Sequence, residues 1–327
     1  MKILVTGASG FFGSHIAEQL TAAGHNVRVL VRESSDRAFL QKFPHELAIG
    51  DIADADSLRA AVEGVDGVVH AAGLVKACSE QEFAAVNGTG TANLLAAITE
   101  SAPDLKRFVY VSSLTAHGPG LDGIPRPIDA PSAPVSAYGR TKLLGEIATQ
   151  QSSLANRSVI LRMPVIYGPR DPAMVPFFQA ARFRLAPLLT GGHNRISIVY
   201  VDDAVSAVIG ALTAEADVIG KIYTPEDGTA HTWRDILAAI EDFAGRRALR
   251  IYVPRLGFDS AAFATELFGK IARRPVIFTR DKVREMAQSS WLCSALMLKH
   301  DLGWEAQVDI TEGAHRTGQW YRDHKWI

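Results

Sequence analysis

Short runs of β-branched and other apolar residues recur along the first half of the chain. Between them lie longer stretches in which apolar positions return every three to four residues. The runs at 2–6 (KILVT), 27–32 (VRVLVR), 46–50, 66–71, 107–112 and 158–163 read as strands. The stretches at 12–23, 55–63, 83–102 and 138–150 read as helices. Strand and helix alternating at this rhythm predict βαβ units, and therefore a parallel sheet with helices on both faces. In such sheets ligands sit beyond the carboxyl ends of the strands, so the loops that follow strands hold the chemistry.

Beyond residue 164 the rhythm breaks. PVIYGPRDP (164–172) is proline-rich and loop-like, and VPFFQAARFRLAPLL (175–189) reads as one apolar helix. ISIVYV (196–201) is strand-like, and a helix is expected from Asp202, with Asp202 and Asp203 as its cap. From 226 onward the pattern predicts short helices and a strand at 248–254. The prolines and small residues of 118–135 read as a loop beside a substrate entrance.

Composition narrows the partners. The 327 residues are 47% hydrophobic and 21% charged with a net charge of −1, ordinary for a soluble protein and without the basic excess of a nucleic-acid binder. The N-terminal MKILVTGASG lacks the apolar core of a signal peptide, and no run is long enough to span a membrane, so no membrane partner is expected. The two cysteines, Cys78 and Cys293, show no metal-ligand spacing and read as reduced, incidental thiols of a cytoplasmic protein that needs no metal.

The strand at 2–6 runs directly into Gly7-Ala8-Ser9-Gly10-Phe11-Phe12-Gly13 and then a helix. Glycines at these places allow a tight turn, close approach to a pyrophosphate, and close packing of a helix whose N-terminus faces the phosphates. Gly7, Ser9, Gly10, Phe11, Phe12 and Gly13 are thus candidate dinucleotide contacts. The second strand ends at Arg32, with Ser34, Ser35 and Arg37 just beyond. An acid there would bind the ribose hydroxyls of NAD, whereas an arginine suits a 2′-phosphate, so NADP is expected, with NAD possible.

The glycine spacing, together with HAAG (70–73), VNGTGTAN (86–93), YVSS (110–113), YGRTK (138–142), RMPVIYGP (162–169) and YVDD (200–203), resembles the extended short-chain dehydrogenase/reductases of the NAD(P)-dependent epimerase/dehydratase family. Within that family the chain looks closest to dihydroflavonol-reductase-like and 3β-hydroxysteroid-dehydrogenase-like members. The resemblance covers essentially the whole chain, through the ending DLGWEAQVDITEGAHRTGQWY (301–321). It implies an α/β fold of Rossmann type: a doubly wound parallel sheet with a smaller, mostly helical C-terminal substrate-binding cap. The expected division is a dinucleotide-binding domain at 1–170, with a return to it around 196–224, and a cap over 171–327. Further cofactor contacts are implied at Asp51, Ile52, Ala71, Ala72, Gly73 and Pro164.

Tyr138 and Lys142 stand four apart on one predicted helix, which places them on one face. A free tyrosine titrates near 10, so proton transfer near neutrality needs a shift of about three units, or about 4 kcal/mol, which a neighbouring ammonium and a cationic nicotinamide would together supply. The resemblance implies that Tyr138 transfers the proton, that Lys142 holds the nicotinamide ribose, and that Ser113 hydrogen-bonds the substrate oxygen. Ser112 is the neighbouring competitor, and the family's spacing to Gly118 selects Ser113. His117 reads as a loop or pocket-lining residue.

Two departures from the family shape the expected reaction. Dehydratases follow the catalytic serine or threonine with an acidic pair, and Leu114 and Thr115 stand there instead. Nucleotide-sugar epimerases carry an arginine seven residues before the second aspartate of V-D-D, and here that position is Ile196, with Arg195 one place away. On a strand that slip turns Arg195 to the other face. Phe177, Phe178, Leu185, Phe258, Phe263, Leu267 and Phe268 sit at helical spacings that read as core, yet they leave room for an apolar ketone or alcohol in the cap. The expectation is therefore an NADP(H)-dependent reductase or dehydrogenase acting on an apolar small molecule. An epimerase with retained cofactor is the alternative, and a catalytically silent dinucleotide sensor ranks last. By analogy with the family, Leu94, Leu95, Leu143 and Leu144 mark either a homodimer surface or monomer core.

Overall fold

The computed structural model describes every residue except 122, 190, 191, 216, 217, 273 and 277, and the side chains of 187, 189 and 270 also stand outside the description. Residues 216 and 217 of the expected 196–224 return are thus among those not described. Seven parallel strands form the central sheet, in the order Ile222–Tyr223, Ser158–Met163, Arg107–Ser113, Gly67–His70, Lys2–Thr6, Asn26–Val31, Glu46–Ile49. Chain order reverses at Lys2–Thr6, which pairs with Asn26–Val31 on one side and Gly67–His70 on the other. A crevice at the carboxyl ends of these strands follows from that reversal.

Alternation along the strands assigns the two faces. Ile3 and Val5 join Val109 and Val111 in one core, against helices Phe11–Ala22 and Val201–Thr213, while Leu4 joins Phe108 and Tyr110 in the other. That second core is closed by helices Ala55–Val62 and Thr91–Ser101 through Leu58, Leu94 and Ile98. Leu94 and Leu95 are therefore monomer core, while Leu144 is exposed on helix Ala137–Gln151. A third cluster, with Tyr167, Phe178, Ile198, Tyr200 and Ile240 fully or nearly fully buried, consolidates the C-terminal elements.

Several expectations are corrected. The apolar stretch 175–189 is not one helix: Val175–Phe183 is helical, Arg184 turns the chain with φ +59°, and Leu185–Leu189 is a strand paired in parallel with Leu249–Val253. The helix at 83–102 begins at Glu80 and is broken by a wide turn over Ala85–Gly90, whose hydrogen bonds span five residues, before Thr91–Ser101 resumes. Asp202 and Asp203 lie in the first turn of helix Val201–Thr213 without capping it. The Asp203 carboxylate accepts instead from the Val308 N–H at 2.9 Å, and Asp202 accepts from Gln19 at 2.8 Å, tying the C-terminal segment and the first helix together. Phe177 and Phe178 are packed in the third cluster, whereas Phe263, Leu267 and Phe268 face solvent and form neither core nor pocket.

Candidate active site

The turn after Lys2–Thr6 is shaped by its glycines. Gly7 has φ +74°, and a Cβ there would lie 2.7 Å from the Ala71 carbonyl carbon and the Ala72 nitrogen. A Cβ at Gly13 would lie 2.2 Å from the Gly7 oxygen, so both glycines are required for helix Phe11–Ala22 to close on the turn. That helix starts at Gly10 with no side-chain cap and no acid in its first turn, which leaves its N-terminal N–H groups and positive dipole end available to phosphate. Gly73 packs against Asn87, whose Oδ1 a Cβ at residue 73 would meet at 3.1 Å, with the Lys142 Nζ beyond it at 3.8 Å. The cradle fits a dinucleotide. Arg32 is exposed, its N–H bonded to the Ser35 hydroxyl, and Arg37 follows with a buried Nε that has no partner among the described residues. Ile52 is buried against Gly90, and the Asp51 carboxylate accepts from the Ala53 N–H.

Helix Ala137–Gln151 carries Tyr138 and Lys142 and is capped by Ser136, whose hydroxyl accepts from the Gly139 N–H. Its glycines explain how it reaches the sheet. A Cβ at Gly139 would meet the Thr115 oxygen at 2.3 Å, and one at Gly145 the Tyr110 hydroxyl at 2.1 Å. The Lys142 ammonium donates to the Val111 carbonyl at 2.6 Å and lies 4.3 Å from the centre of the Tyr110 ring. Burial pulls it down to about 7, with Glu146 opposing.

The two neighbouring serines part company. Ser112 donates to the Glu146 carboxylate at 2.5 Å on the buried side, where Arg162 grips the same carboxylate through Nε and Nη2 at 2.9–3.2 Å. Ser113 lies on the other side, near enough to the Tyr138 phenol to lower its pKa. The Ser113 oxygen accepts from the Thr115 N–H at 3.2 Å and the Thr115 hydroxyl at 2.8 Å. Both acceptor positions are filled, so the one remaining role of the hydroxyl is to donate. Thr115, standing where dehydratases carry an acid, thus orients Ser113. His117 is buried, bonded to the Pro127 carbonyl at 2.8 Å, and anchors the 118–135 loop.

Tyr138 lies at the wall of a cleft of about 270 Å³ bounded by residues 75–83, by the start of its own helix, and by helices Arg255–Ala272 and Arg280–Met286. Residues 75–83, a loop running into the helix that begins at Glu80, and not 118–135, form the nearer rim, with the Phe83 ring 6.2 Å from that of Tyr138. Asp281 fixes the far wall by accepting from the Ala137 N–H at 2.6 Å. Burial pushes the Tyr138 phenol up to about 12, the Ser113 hydrogen bond works against this, and the Glu285 carboxylate adds to it. The Lys142 ammonium, expected from the spacing to act on the phenol, is engaged elsewhere in this structure. It holds the Val111 carbonyl instead.

Two polar residues carried by the quoted motifs but given no role in the sequence are central here. Asn87, buried in the wide turn, accepts from the Leu74 N–H at 2.8 Å and donates to the Leu74 carbonyl and the Thr141 hydroxyl, each at 3.2 Å. It joins the 71–74 loop to the tyrosine helix. Its signal was the pair Gly88 and Gly90 inside a helical pattern. His70 is fully buried, and burial lowers it to about 3, so it is neutral. The Thr91 hydroxyl donates to the Asn87 carbonyl at 2.8 Å, so His70 Nε2–H donates to Thr91 at 3.0 Å. His70 Nδ1 then accepts from Thr6 at 2.7 Å, and Thr6 accepts from the Ala72 N–H at 3.2 Å. One directed chain therefore ties the ends of two strands to the wide turn.

Comparison with known proteins gives a consistent picture. A sequence model of the NAD dependent epimerase/dehydratase family matches residues 3–224. The chain is similar to the ceramide reductase of Caulobacter vibrioides, at 28% identity over 99% of this chain and 96% of that one. It is similar also to the 2-alkyl-3-oxoalkanoate reductase of Stenotrophomonas maltophilia, at 30% identity over 97% of this chain and 98% of that one. Among solved structures, the dTDP-glucose 4,6-dehydratase of Bacillus anthracis in complex with NAD superposes with a TM-score of 0.79 at 20% identity, covering 99% of this chain and 97% of that one, which shows a common fold.

Proposed function

Since the chain belongs to the NAD dependent epimerase/dehydratase family and is an NAD(P)-dependent oxidoreductase of the extended short-chain dehydrogenase/reductase type, we propose that it transfers hydride between NADP(H) and a ketone or secondary alcohol on an apolar skeleton. The observation that carries this reading is the pairing of a donor-only Ser113 with a protonated Tyr138 at the wall of the cleft. In the reducing direction Ser113 donates to the carbonyl oxygen and polarises it, and the Tyr138 hydroxyl delivers the proton that completes the alcohol. Lys142, on the same helix face, would hold the nicotinamide ribose, and the cofactor would supply the hydride when bound. Gly7, Ser9, Gly10, Phe11, Phe12 and Gly13 hold the pyrophosphate, and Asp51, Ile52, Ala71, Ala72, Gly73 and Pro164 flank the rest of the dinucleotide. Preference for the 2′-phosphate rests on Arg32, exposed and with no ion pair among the described residues, supported by Arg37.

The names of the two reductase relatives support an apolar chain on the substrate. A nucleotide-sugar epimerase is disfavoured because Ile196 is buried and Arg195 points outward from the same short strand. Dehydration is disfavoured because Thr115 is committed to Ser113. In this reading residues 171–327 form the substrate cap, apart from the segment that returns to the sheet around 196–224. The exposed Leu144 and Ile147 on the tyrosine helix support a homodimer through that face, and the free thiols of Cys78 and Cys293 support a cytoplasmic location. The test is oxidation of NADPH and NADH in parallel across long-chain 3-oxo compounds, with nucleotide sugars as the counter-panel. Turnover with ketones, faster with NADPH and abolished by Tyr138→Phe, is expected. Epimerised sugar with no net cofactor consumption would overturn the reading.

A further inference from the structure

Helix Arg255–Ala272 has two faces with opposite tasks. Glu266 and Gly269 look into the cleft beside Tyr138. On the far side Leu256, Phe263, Leu267 and Ile271 recur at spacings of seven, four and four, forming one stripe, with Phe268 beside it. These five side chains are between 48% and 77% exposed. An apolar stripe of this length turned to solvent marks a contact surface. The charge around it identifies the occupant. From Arg246 to Arg280 the chain carries eight basic residues and two acidic ones, in a protein whose net charge is −1. Both acids are already paired, Asp259 with Arg255 at 3.7 Å and Glu266 with Arg280 at 2.9 Å. Arg246, Arg247 and Arg250 line an open depression just before the helix, which Glu241 and Asp242 share and where Arg250 lies 3.8 Å from Glu241, so that its basic excess rests on Arg246 and Arg247. An exposed apolar stripe on a segment whose sequence carries this excess of basic residues is the pattern of a helix lying in the headgroup layer of an anionic bilayer.

We propose that helix Arg255–Ala272 docks the protein on an anionic membrane surface, with Leu256, Phe263, Leu267, Phe268 and Ile271 entering the headgroup boundary. The mouth of the Tyr138 cleft then lies beside the bilayer, because the opposite face of the same helix lines it. No described helix is long and apolar enough to cross a membrane, so the attachment is peripheral and reversible. It departs from the sequence expectation of no membrane partner, and it does not depend on the redox reading, since binding is measured without turnover.

The test is co-sedimentation of the full chain with vesicles of phosphatidylcholine containing about one third phosphatidylglycerol, and with pure phosphatidylcholine vesicles. The expected result is binding to the anionic vesicles, at least about fivefold weaker in about 0.5 M NaCl, and little binding to the neutral ones. Leu267→Glu with Ile271→Glu should weaken binding by about tenfold or more while far-ultraviolet circular dichroism stays unchanged. The salt and lipid dependence of the unaltered protein stands as a separate measurement should the double variant not fold. Absence of binding to anionic vesicles overturns the proposal, as does binding insensitive to the substitutions. A dimer that the substitutions convert to monomer, with no vesicle binding, would assign the stripe to a second copy of the chain.

Discussion

Replacing Lys142 with methionine tests the electrostatics of the site through stability alone. Burial lowers the ammonium from 10.5 to about 7, and the Glu146 carboxylate only partly opposes this. Each unit of such a displacement corresponds to 1.36 kcal/mol, so the whole shift costs about 5 kcal/mol when the group is charged. In the unfolded chain the amine keeps its proton until about pH 10.4, whereas the folded protein releases it near neutrality. Between those limits the unfolded state binds more protons, so stability rises with pH. Below about 7 both states carry the proton and the cost is fully present; above about 10.5 neither does and it is gone. Methionine removes this dependence and leaves the Val111 carbonyl without its donor, a loss of about 1–3 kcal/mol that is independent of pH. Urea unfolding of both proteins at unit intervals from about pH 6 to about pH 10 gives the difference in stability, in which the groups that do not interact with Lys142 cancel. Of those that do, Glu146 is a carboxylate, a type that ionises well below this range, and His70 is lowered to about 3. That difference should move in favour of the unaltered protein by at most about 4 kcal/mol across the range. A flat difference would show that Lys142 keeps an ordinary ammonium and would refute the account of its burial.

Three further outcomes follow from the same geometry. Ser113→Ala should lower kcat/KM by about a hundredfold or more with little change in unfolding free energy, whereas Ser112→Ala should leave turnover nearly intact and cost about 1–3 kcal/mol by stripping Glu146 of a partner; the reverse pattern in kinetics and melts would exchange their roles. Glu285→Gln removes a carboxylate that, after burial, holds the Tyr138 phenol high, so the rising limb of the oxidation-direction pH–rate profile, set by loss of the phenol proton, should move to lower pH; an unmoved limb excludes the influence of that charge. Gly145→Ala places a methyl against the Tyr110 hydroxyl and should destabilise by about 1–3 kcal/mol in denaturant titrations while weakening activity, since the helix that carries Tyr138 must shift.

The sheet was legible because its strands alternate between two buried faces, so Ile3, Leu4 and Val5 each declare a side. The strand at Leu185–Leu189 was not, because an apolar run of five after a helix keeps a helical appearance, and only the left-handed Arg184 separates the two. The wide turn at Ala85–Gly90 was hidden for a related reason: inserting one extra residue per turn preserves the apolar face to within a fraction of a turn. Apolarity also misled at Phe263, Leu267 and Phe268, where helical spacing is the same whether a stripe meets a core or another medium. The catalytic candidates were legible in type and order, but not in their electrostatics. Spacing placed Tyr138 and Lys142 on one face, and the fold sends the ammonium to the Val111 carbonyl.

That difference bears on how such a site operates. A tyrosine pushed up to about 12 is a reliable proton donor near neutrality and a poor base. In the proposed reaction the oxidising direction therefore requires something to stabilise the phenolate. Lys142 is one helical turn away, its ammonium bonded to Val111, and residue 73 lies beside both that ammonium and Asn87. Cofactor ribose reaching that ammonium would compete with the Val111 carbonyl for the same N–H groups, coupling dinucleotide binding to the charge on the tyrosine. Gly73→Ala should therefore weaken dinucleotide affinity and shift the oxidation-direction pH profile upward, while leaving the Tyr138–Ser113 contact in place. Loss of affinity with an unshifted profile, measured by fluorescence titration and pH–rate kinetics, would separate binding from proton transfer and show that Lys142 serves the cofactor alone.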